Sequence, residues 1–172
     1  MHYKTRQEMI ASLPTGLRCA ELGVFAGDFA RDILRIMRPS KFYLVDTFEG
    51  TFTCPNQNGD LPETLHLSTV EKMLRREFSC ADQTSIEKEE SVAWLKAQPA
   101  ASLDFIYIDT THSYEQTAAE LREARRVVRP GGWISGHDYH DRFAGVIRAV
   151  TELGLPVQLT EDGFPSFLMV NV

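Results

Sequence analysis

Ala20-Glu21-Leu22-Gly23-Val24-Phe25-Ala26-Gly27 decides the fold, because an acidic residue and two glycines follow directly on a strand. Cys19 to Leu22 reads as the end of a buried strand, and Asp28 to Met37 as an amphipathic helix. Glycine at 23 and 27 lets the backbone turn sharply and approach a ligand without a Cβ in the way. The helix that follows presents unpaired N–H groups to that ligand. Roughly 20 residues past Gly27, a second strand, Lys41 to Val45, ends in Asp46, where a carboxylate suits a two-pronged grip on ribose hydroxyls. The pattern predicts a site for an adenosine-containing cofactor.

The loop's details narrow the cofactor. A dinucleotide fingerprint is Gly-x-Gly-x-x-Gly. Here the spacing is Glu21-x-Gly23-x-x-x-Gly27, and Phe25 stands where the second close-approach glycine would be. Such a loop is poorly shaped for a pyrophosphate, and Glu21 would repel one. A carboxylate is better placed beside a cofactor that carries positive charge. S-adenosylmethionine, with its sulfonium and amino groups, is such a cofactor.

Outward from this loop, strand-like apolar runs alternate with helix-period segments, the signature of a parallel α/β sheet. The region 47–82 begins loop-like, with Pro55, Asn56, Asn58, Gly59 and Pro62, and continues with helical spacing from Leu67 to Phe78. Gln83 to Glu87 makes a third strand and Glu90 to Gln98 a helix. Leu103 to Ile108 is a near-continuous apolar run, as expected of a central strand covered on both faces. Tyr114 to Val128 is helical and is stopped by Arg129-Pro130-Gly131-Gly132. Trp133 to Gly136 is the fifth strand, and Ala144 to Leu153 the last helix. Leu155 to Thr160 and Phe167 to Val172 close the chain as two strands. No repeat or linker divides residues 1–172, so one domain is expected. Fewer than 20 residues precede the first strand, which leaves 47–82 as the expected lid over the acceptor.

Composition is that of a globular protein, with 43% hydrophobic and 24% charged residues in 172. The net charge of −6 argues against a nucleic-acid surface, which needs clustered cations. Arg75-Arg76 and Arg125-Arg126 fit solvated helix faces instead. Cysteines at 19, 54 and 80 are odd in number and lack metal-type spacing, which predicts free thiols in a reducing cytoplasm. No apolar run is long enough to span a membrane, and the N-terminus has no signal-type apolar core.

Ligands of open α/β sheets sit beyond the carboxyl ends of the strands. Those ends carry Glu21, Asp46, Glu87, Asp109 and the pair His137-Asp138, all ionisable. With these residues the sequence resembles a family. Glu21-Leu22-Gly23-Val24-Phe25-Ala26-Gly27, Val45-Asp46-Thr47-Phe48-Glu49-Gly50, Ile108-Asp109-Thr110-Thr111-His112-Ser113-Tyr114-Glu115 and Gly131-Gly132-Trp133-Ile134-Ser135-Gly136-His137-Asp138-Tyr139 are similar to class I S-adenosylmethionine-dependent methyltransferases. The branch resembled holds the macrocin-type and catechol O-methyltransferases. The resemblance runs over residues 17–172.

It implies a Rossmann-like seven-stranded sheet in the order 3-2-1-4-5-7-6, with strand 7 antiparallel and helices on both faces. It also implies that Glu21, Gly23, Phe25 and Gly27 form the loop around the methionine moiety. Asp46 would hold the ribose, Thr47 and Phe48 would line the adenosine, and Ser85, Ile86 and Glu87 would flank the adenine. Asp109 would lie near the sulfonium and the acceptor. His112 is either the general base for an acceptor hydroxyl or a cap of the helix near Tyr114; Ser113 could serve as that cap, with Gln116 as its partner. Metal-dependent relatives carry ligands at the ends of strands 4 and 5, where Asp109 and Asp138 stand, with His137 or Tyr139 at the third position. Mg²⁺ or Mn²⁺ would be the metal; otherwise Asp138 hydrogen-bonds its own loop.

The expected activity is methyl transfer to a hydroxyl of a small molecule, without nucleic-acid or membrane partners. The lid would be ordered by ligand or by a second subunit, so a homodimer is an expected assembly. Two rivals remain at this point, an NAD-type oxidoreductase and a catalytically silent cofactor-binding protein.

Overall fold

The computed structural model describes residues 2–54 and 63–172, with the side chains of Cys54 and Glu63 excepted. The expectations for Cys54 and for the turn residues 55–62 lie outside the described residues. Among the described residues, nine strands form two sheets. Seven of them, β1 (Arg18–Leu22), β2 (Lys41–Asp46), β5 (Thr84–Lys88), β6 (Leu103–Ile108), β7 (Val128–Gly136), β8 (Val157–Leu159) and β9 (Phe167–Val170), build the main sheet. Its order is β5-β2-β1-β6-β7-β9-β8, and β9 runs antiparallel to both neighbours. Counted along the main sheet alone, that is the expected 3-2-1-4-5-7-6. β3 (Thr51–Cys54) and β4 (Glu63–His66) pair antiparallel as a separate ribbon.

Alternation along the strands sorts side chains to two faces. Cys19, Phe42, Leu44, Phe105 and Tyr107 pack with α1 (Arg6–Ala11), α2 (Asp28–Met37) and α3 (Leu67–Glu77). Ala20, Leu22, Val45, Ile106, Ile108 and Ile134 pack with α4 (Ser91–Ala97), α5 (Tyr114–Val127) and α6 (Ala144–Glu152). All six residues of β6 are buried, as a strand covered on both faces requires. Cys19 and Cys80 are free thiols. Among the described residues no helix is long and apolar enough to cross a membrane.

Two features outside the sequence reading have local causes. β7 begins at Val128, five residues earlier than its apolar stretch, because Asn171 stitches the Pro-Gly-Gly segment into the sheet. Its Nδ2 donates to Val128 O at 2.7 Å, and Gly131 N donates to Asn171 O at 2.7 Å. The N-terminal segment is a full helical turn and more, capped by Thr5 accepting from Glu8 N at 3.2 Å.

What positions the site is the register. Leu22 pairs with both Val45 and Ile108, and Ile108 pairs with Gly136. The carboxyl ends of four adjacent strands are therefore level. The chain leaves β1 toward β2 on one side and returns through β6 on the other, so a crevice opens at the β1/β6 switch point.

Candidate functional site

Gly23 is the first residue beyond β1, with φ +84°, and its backbone lies against the end of β6. A Cβ there would stand 1.9 Å from Asp109 O. Only glycine permits this approach, which brings the β1 loop and the β6 end to one edge. Gly27, at φ +79°, turns the chain into α2 as its N-cap. The loop between them is held by Asp46. Its Oδ2 accepts from Val24 N at 2.8 Å and Phe25 N at 3.0 Å, and its Oδ1 accepts from Phe48 N at 2.8 Å.

Two cavities flank this loop. The larger, 440 Å³, is lined by Gly23, Phe25, Asp46, Thr47, residues 89–91, residues 109–111 and Gln116. The smaller, 310 Å³, is lined by Arg6, Glu21, residues 23–26, Phe29, Asp109, Thr110 and His112. Gly23, Phe25, Asp109 and Thr110 border both. The size and the mix of apolar wall with a few polar groups suit a drug-sized ligand. The larger cavity has the Asp46 carboxylate, and the smaller has the buried Glu21.

Glu21 is 2% exposed and its Oε2 has no hydrogen-bond partner among the described residues. Burial, with Asp109 nearby, pushes its carboxyl well above the usual carboxylate range, against the pull of Arg6. A carboxylate so placed gains most from a cationic ligand that donates hydrogen bonds. The sulfonium and ammonium of S-adenosylmethionine fit that requirement, whereas a pyrophosphate does not.

Of the residues expected from sequence, the structure gathers Glu21, Gly23, Phe25, Asp46, Thr47, Asp109 and His112 around these cavities. Gly27 shapes the turn without lining them. Phe48, expected to line the adenosine, is not in the lining of either cavity and is a core residue, 1% exposed and packed on the α1–α3 side. Ser85, Ile86 and Glu87 lie within β5, and the larger cavity meets the chain further on, at Glu89, Glu90 and Ser91. Ser91 and Gln116 are backed by the buried Glu120, which accepts from Ser91 Oγ, from Gln116 Nε2 at 3.0 Å and from Thr110 Oγ1 at 2.9 Å. Glu120 follows Gln116 by one helical turn, a spacing visible in the sequence. Arg6 carried no sequence signal.

His112 does not cap α5; Ser113 does, accepting from Gln116 N at 3.2 Å. The imidazole is free to pair with carboxylates. Its Nε2 lies 2.7 Å from Asp138 Oδ2 and 3.3 Å from Asp109 Oδ1, and its ring lies against Phe143 at 4.6 Å. The hydrogen bond to Asp109 and the charges of Asp138, Asp109 and Glu120 outweigh burial and raise its pKa. β7 ends at Gly136, so His137 and Asp138 escape strand alternation, and Asp138 takes φ 59°. His137 Nδ1 lies 3.6 Å from Asp109 Oδ2 and 3.4 Å from Asp138 Oδ2. One ligand atom from each of Asp109, His137 and Asp138 falls within 4.8 Å of the others, which suits a divalent cation. Tyr139 packs on the α4–α6 core instead.

Comparison with known proteins agrees with this geometry. A family model described as "Methyltransferase domain" matches residues 20–139. No curated protein matches. Among solved structures, TrmN from Thermus thermophilus superposes with a TM-score of 0.65 at 16% identity, over 97% of this chain and 47% of that one. The chain thus spans about half of TrmN's length. Aeropyrum pernix fibrillarin with natively bound S-adenosyl-L-methionine gives 0.65 at 16%, over 96% and 73%. An O-methyltransferase family protein from Burkholderia thailandensis gives 0.64 at 10%, over 96% and 55%. At such identities these likenesses speak for the fold. The matched segment carries more, since it runs from the Glu21 loop through Asp46 and Asp109 to His137 and Asp138. The chain belongs to the methyltransferase-domain family, among the class I S-adenosylmethionine-dependent methyltransferases.

Proposed function

We propose that this chain moves the methyl group of S-adenosylmethionine to a hydroxyl oxygen of a small molecule, as a single cytoplasmic domain over residues 1–172. The observation that carries the oxygen half of this reading is the His112–Asp138 pair at 2.7 Å, beside Asp109 at the mouth of the smaller cavity. When bound, the cofactor supplies a methyl on a sulfonium, whose electron pair leaves with neutral sulfur. The chain's residues hold the partners in line and manage one proton, and alignment alone supplies much of such a rate. Asp46 holds the ribose, Thr47 and residues 89–91 enclose the adenosine, and Glu21 faces the cationic end. With Nε2 donating to Asp138 and Asp109, the other ring nitrogen of His112 takes the acceptor's proton as the new oxygen–carbon bond forms, and the two carboxylates stabilise the resulting imidazolium.

The Asp109, His137 and Asp138 donor set favours a second route for the same proton. Two carboxylates and an imidazole would hold Mg²⁺ or Mn²⁺, which lowers the pKa of a bound hydroxyl. Family membership removes the support for the NAD-type rival. The net charge of −6 and the concave site favour a small acceptor over nucleic acid. A homodimer would bring a second subunit to the 47–82 region.

The test is transfer of labelled methyl from S-adenosylmethionine to a panel of phenols, sugars and aliphatic alcohols, with amines and RNA alongside. Label on hydroxyls supports the reading. Label only on amines or RNA contradicts it, and no transfer at all points to a silent binding protein. Full turnover in EDTA leaves His112 as the base, whereas loss restored by Mg²⁺ or Mn²⁺ selects the metal route.

A further inference from the structure

Beyond His112, a row of rings and one cation continues outward from the site. Phe143 lies 4.6 Å from the His112 imidazole, Phe164 lies 6.2 Å from Phe143, and His140 lies 5.1 Å from Phe164, all between ring centroids. The Arg142 guanidinium carbon stands 5.7 Å from the Phe164 centroid. His140, Arg142 and Phe143 come from the segment after β7, and Phe164 from the turn between β8 and β9. Tyr139 N donates to Pro165 O at 2.9 Å, which ties the two segments together. Phe164 is 38% exposed, and Arg142 is exposed with no carboxylate paired to it among the described residues. Acids close in sequence have other partners: Asp138 pairs with His112 and His137, and Asp162 accepts from Thr160 Oγ1. His140 Nδ1 accepts from Arg142 N at 3.1 Å, which leaves Nε2 as the N–H donor of that ring.

We propose that this row is the acceptor subsite and that it selects a flat ring bearing an acidic group. The ring lies along Phe143 and Phe164 with its hydroxyl toward His112, and the acidic group reaches Arg142 and His140 Nε2. The proposal rests on the reading of His112 as the group that meets an acceptor hydroxyl. Aromatic faces and edges hold a flat ring in offset or edge-on contact, which fixes the direction of its hydroxyl. A planar guanidinium matches an oxyanion in two parallel hydrogen bonds, and resting on Phe164 keeps that fork at the rim. The charge balance makes the cation matter: a chain of net charge −6 repels an anionic acceptor at long range, so an unpaired arginine at the mouth is what draws one in. Phe143 serves both ends of the row, as a wall for the ring and as a positioning residue for the His112 imidazole.

The experiment measures transfer of labelled methyl from S-adenosylmethionine, with Mg²⁺ present, by the wild-type, Arg142→Gln and Phe164→Ala proteins. The acceptors are hydroxycinnamate, its primary amide, an unbranched aliphatic hydroxy acid of the same length, and a neutral sugar. Wild type should favour the ring acid over its amide by about tenfold to a hundredfold in kcat/KM, the range of charge-assisted hydrogen bonds. Arg142→Gln should bring that ratio near one by slowing the acid. Phe164→Ala should cut the preference for the ring acid over the aliphatic acid by about threefold to tenfold, the range of an aromatic pair. Equal kcat/KM on acid and amide in wild type, or an undiminished ratio in Arg142→Gln, would overturn the subsite. If a variant fails to fold, the wild-type ratios decide alone. Label on the sugar with none on the ring acid removes only the subsite, whereas label on no hydroxyl compound removes the proposed function and the subsite with it.

Discussion

At the scale of single residues, Glu21 occupies a position that alternation along β1 assigns to the α1–α3 core, two residues from Cys19. A buried acid in an apolar row breaks the local rule that builds the strand, and such breaks concentrate at functional sites. Asp46 anchors the 23–27 loop, and under the proposed function it also holds the ribose. Replacing it by alanine should weaken S-adenosylhomocysteine by about 2–4 kcal/mol, since charge-assisted hydrogen bonds are lost and water replaces them in part. Calorimetry measures this, and an unchanged dissociation constant would place the ribose elsewhere. His112→Ala should lower kcat by about 10²–10⁴ once an acceptor is in hand. A variant that turns over normally would dismiss His112 as base. Asp104 offers a control away from the site. Burial alone would raise its pKa, but hydrogen bonds from Arg18 and Arg129 hold it at about 2. Its folded value thus lies below the unfolded value of about 3.9, so its contribution is present above pH 4 and lost as pH falls through 2. Asp104→Asn should cost about 2 kcal/mol near neutrality and almost nothing near pH 1.5, as denaturant titrations at the two pH values would show. Equal losses at both would contradict the pairing.

At the scale of elements, the separate ribbon of β3 and β4 bears on the cofactor loop: Phe52 meets Phe25 edge-on, with ring centroids 4.6 Å apart. Arg31 of α2 grips Glu77 of α3 through two hydrogen bonds of 2.7 Å, which fixes the far end of this region. If 47–82 is the lid proposed from the sequence, the ribbon's contact with the site is the Phe25 wall. Amide exchange in β3, β4 and the first turn of α3 should slow when S-adenosylhomocysteine is added. Equal protection with and without ligand would count against a lid. Most of the main sheet was legible because its strands are apolar runs bounded by turn chemistry, and α2 and β6 fall where their periodicity ends. The ribbon was not, because Thr51–Cys54 and Glu63–His66 are short, mostly polar, and paired across eight intervening residues. The early start of β7 was hidden by Pro130 and two glycines that read as a breaker until Asn171 supplies their partners. In the site, the acids at strand ends could be read in sequence because Asp46 closes β2, Asp109 follows β6 directly and Glu21 stands one residue before the end of β1. Arg6, Ser91 and Gln116 could not, since only the packing of helices on the sheet brings them to the cavities.

At the scale of the molecule, level strand ends at a topological switch point collect residues from across the chain into one edge. Arg6, Glu21, Asp46, Glu90, Asp109 and His112 have no common local signal, yet the register of four parallel strands and the seating of the helices set them around one crevice. Under the proposed function this crevice takes an adenosyl amino-acid cofactor. Titrating S-adenosylhomocysteine and NAD in parallel into the protein, monitored by calorimetry, tests it most directly. Saturable binding of one S-adenosylhomocysteine per chain, abolished or strongly weakened by Asp46→Ala, with no heat from NAD, is the result predicted. Saturable binding of NAD with none for S-adenosylhomocysteine would contradict it.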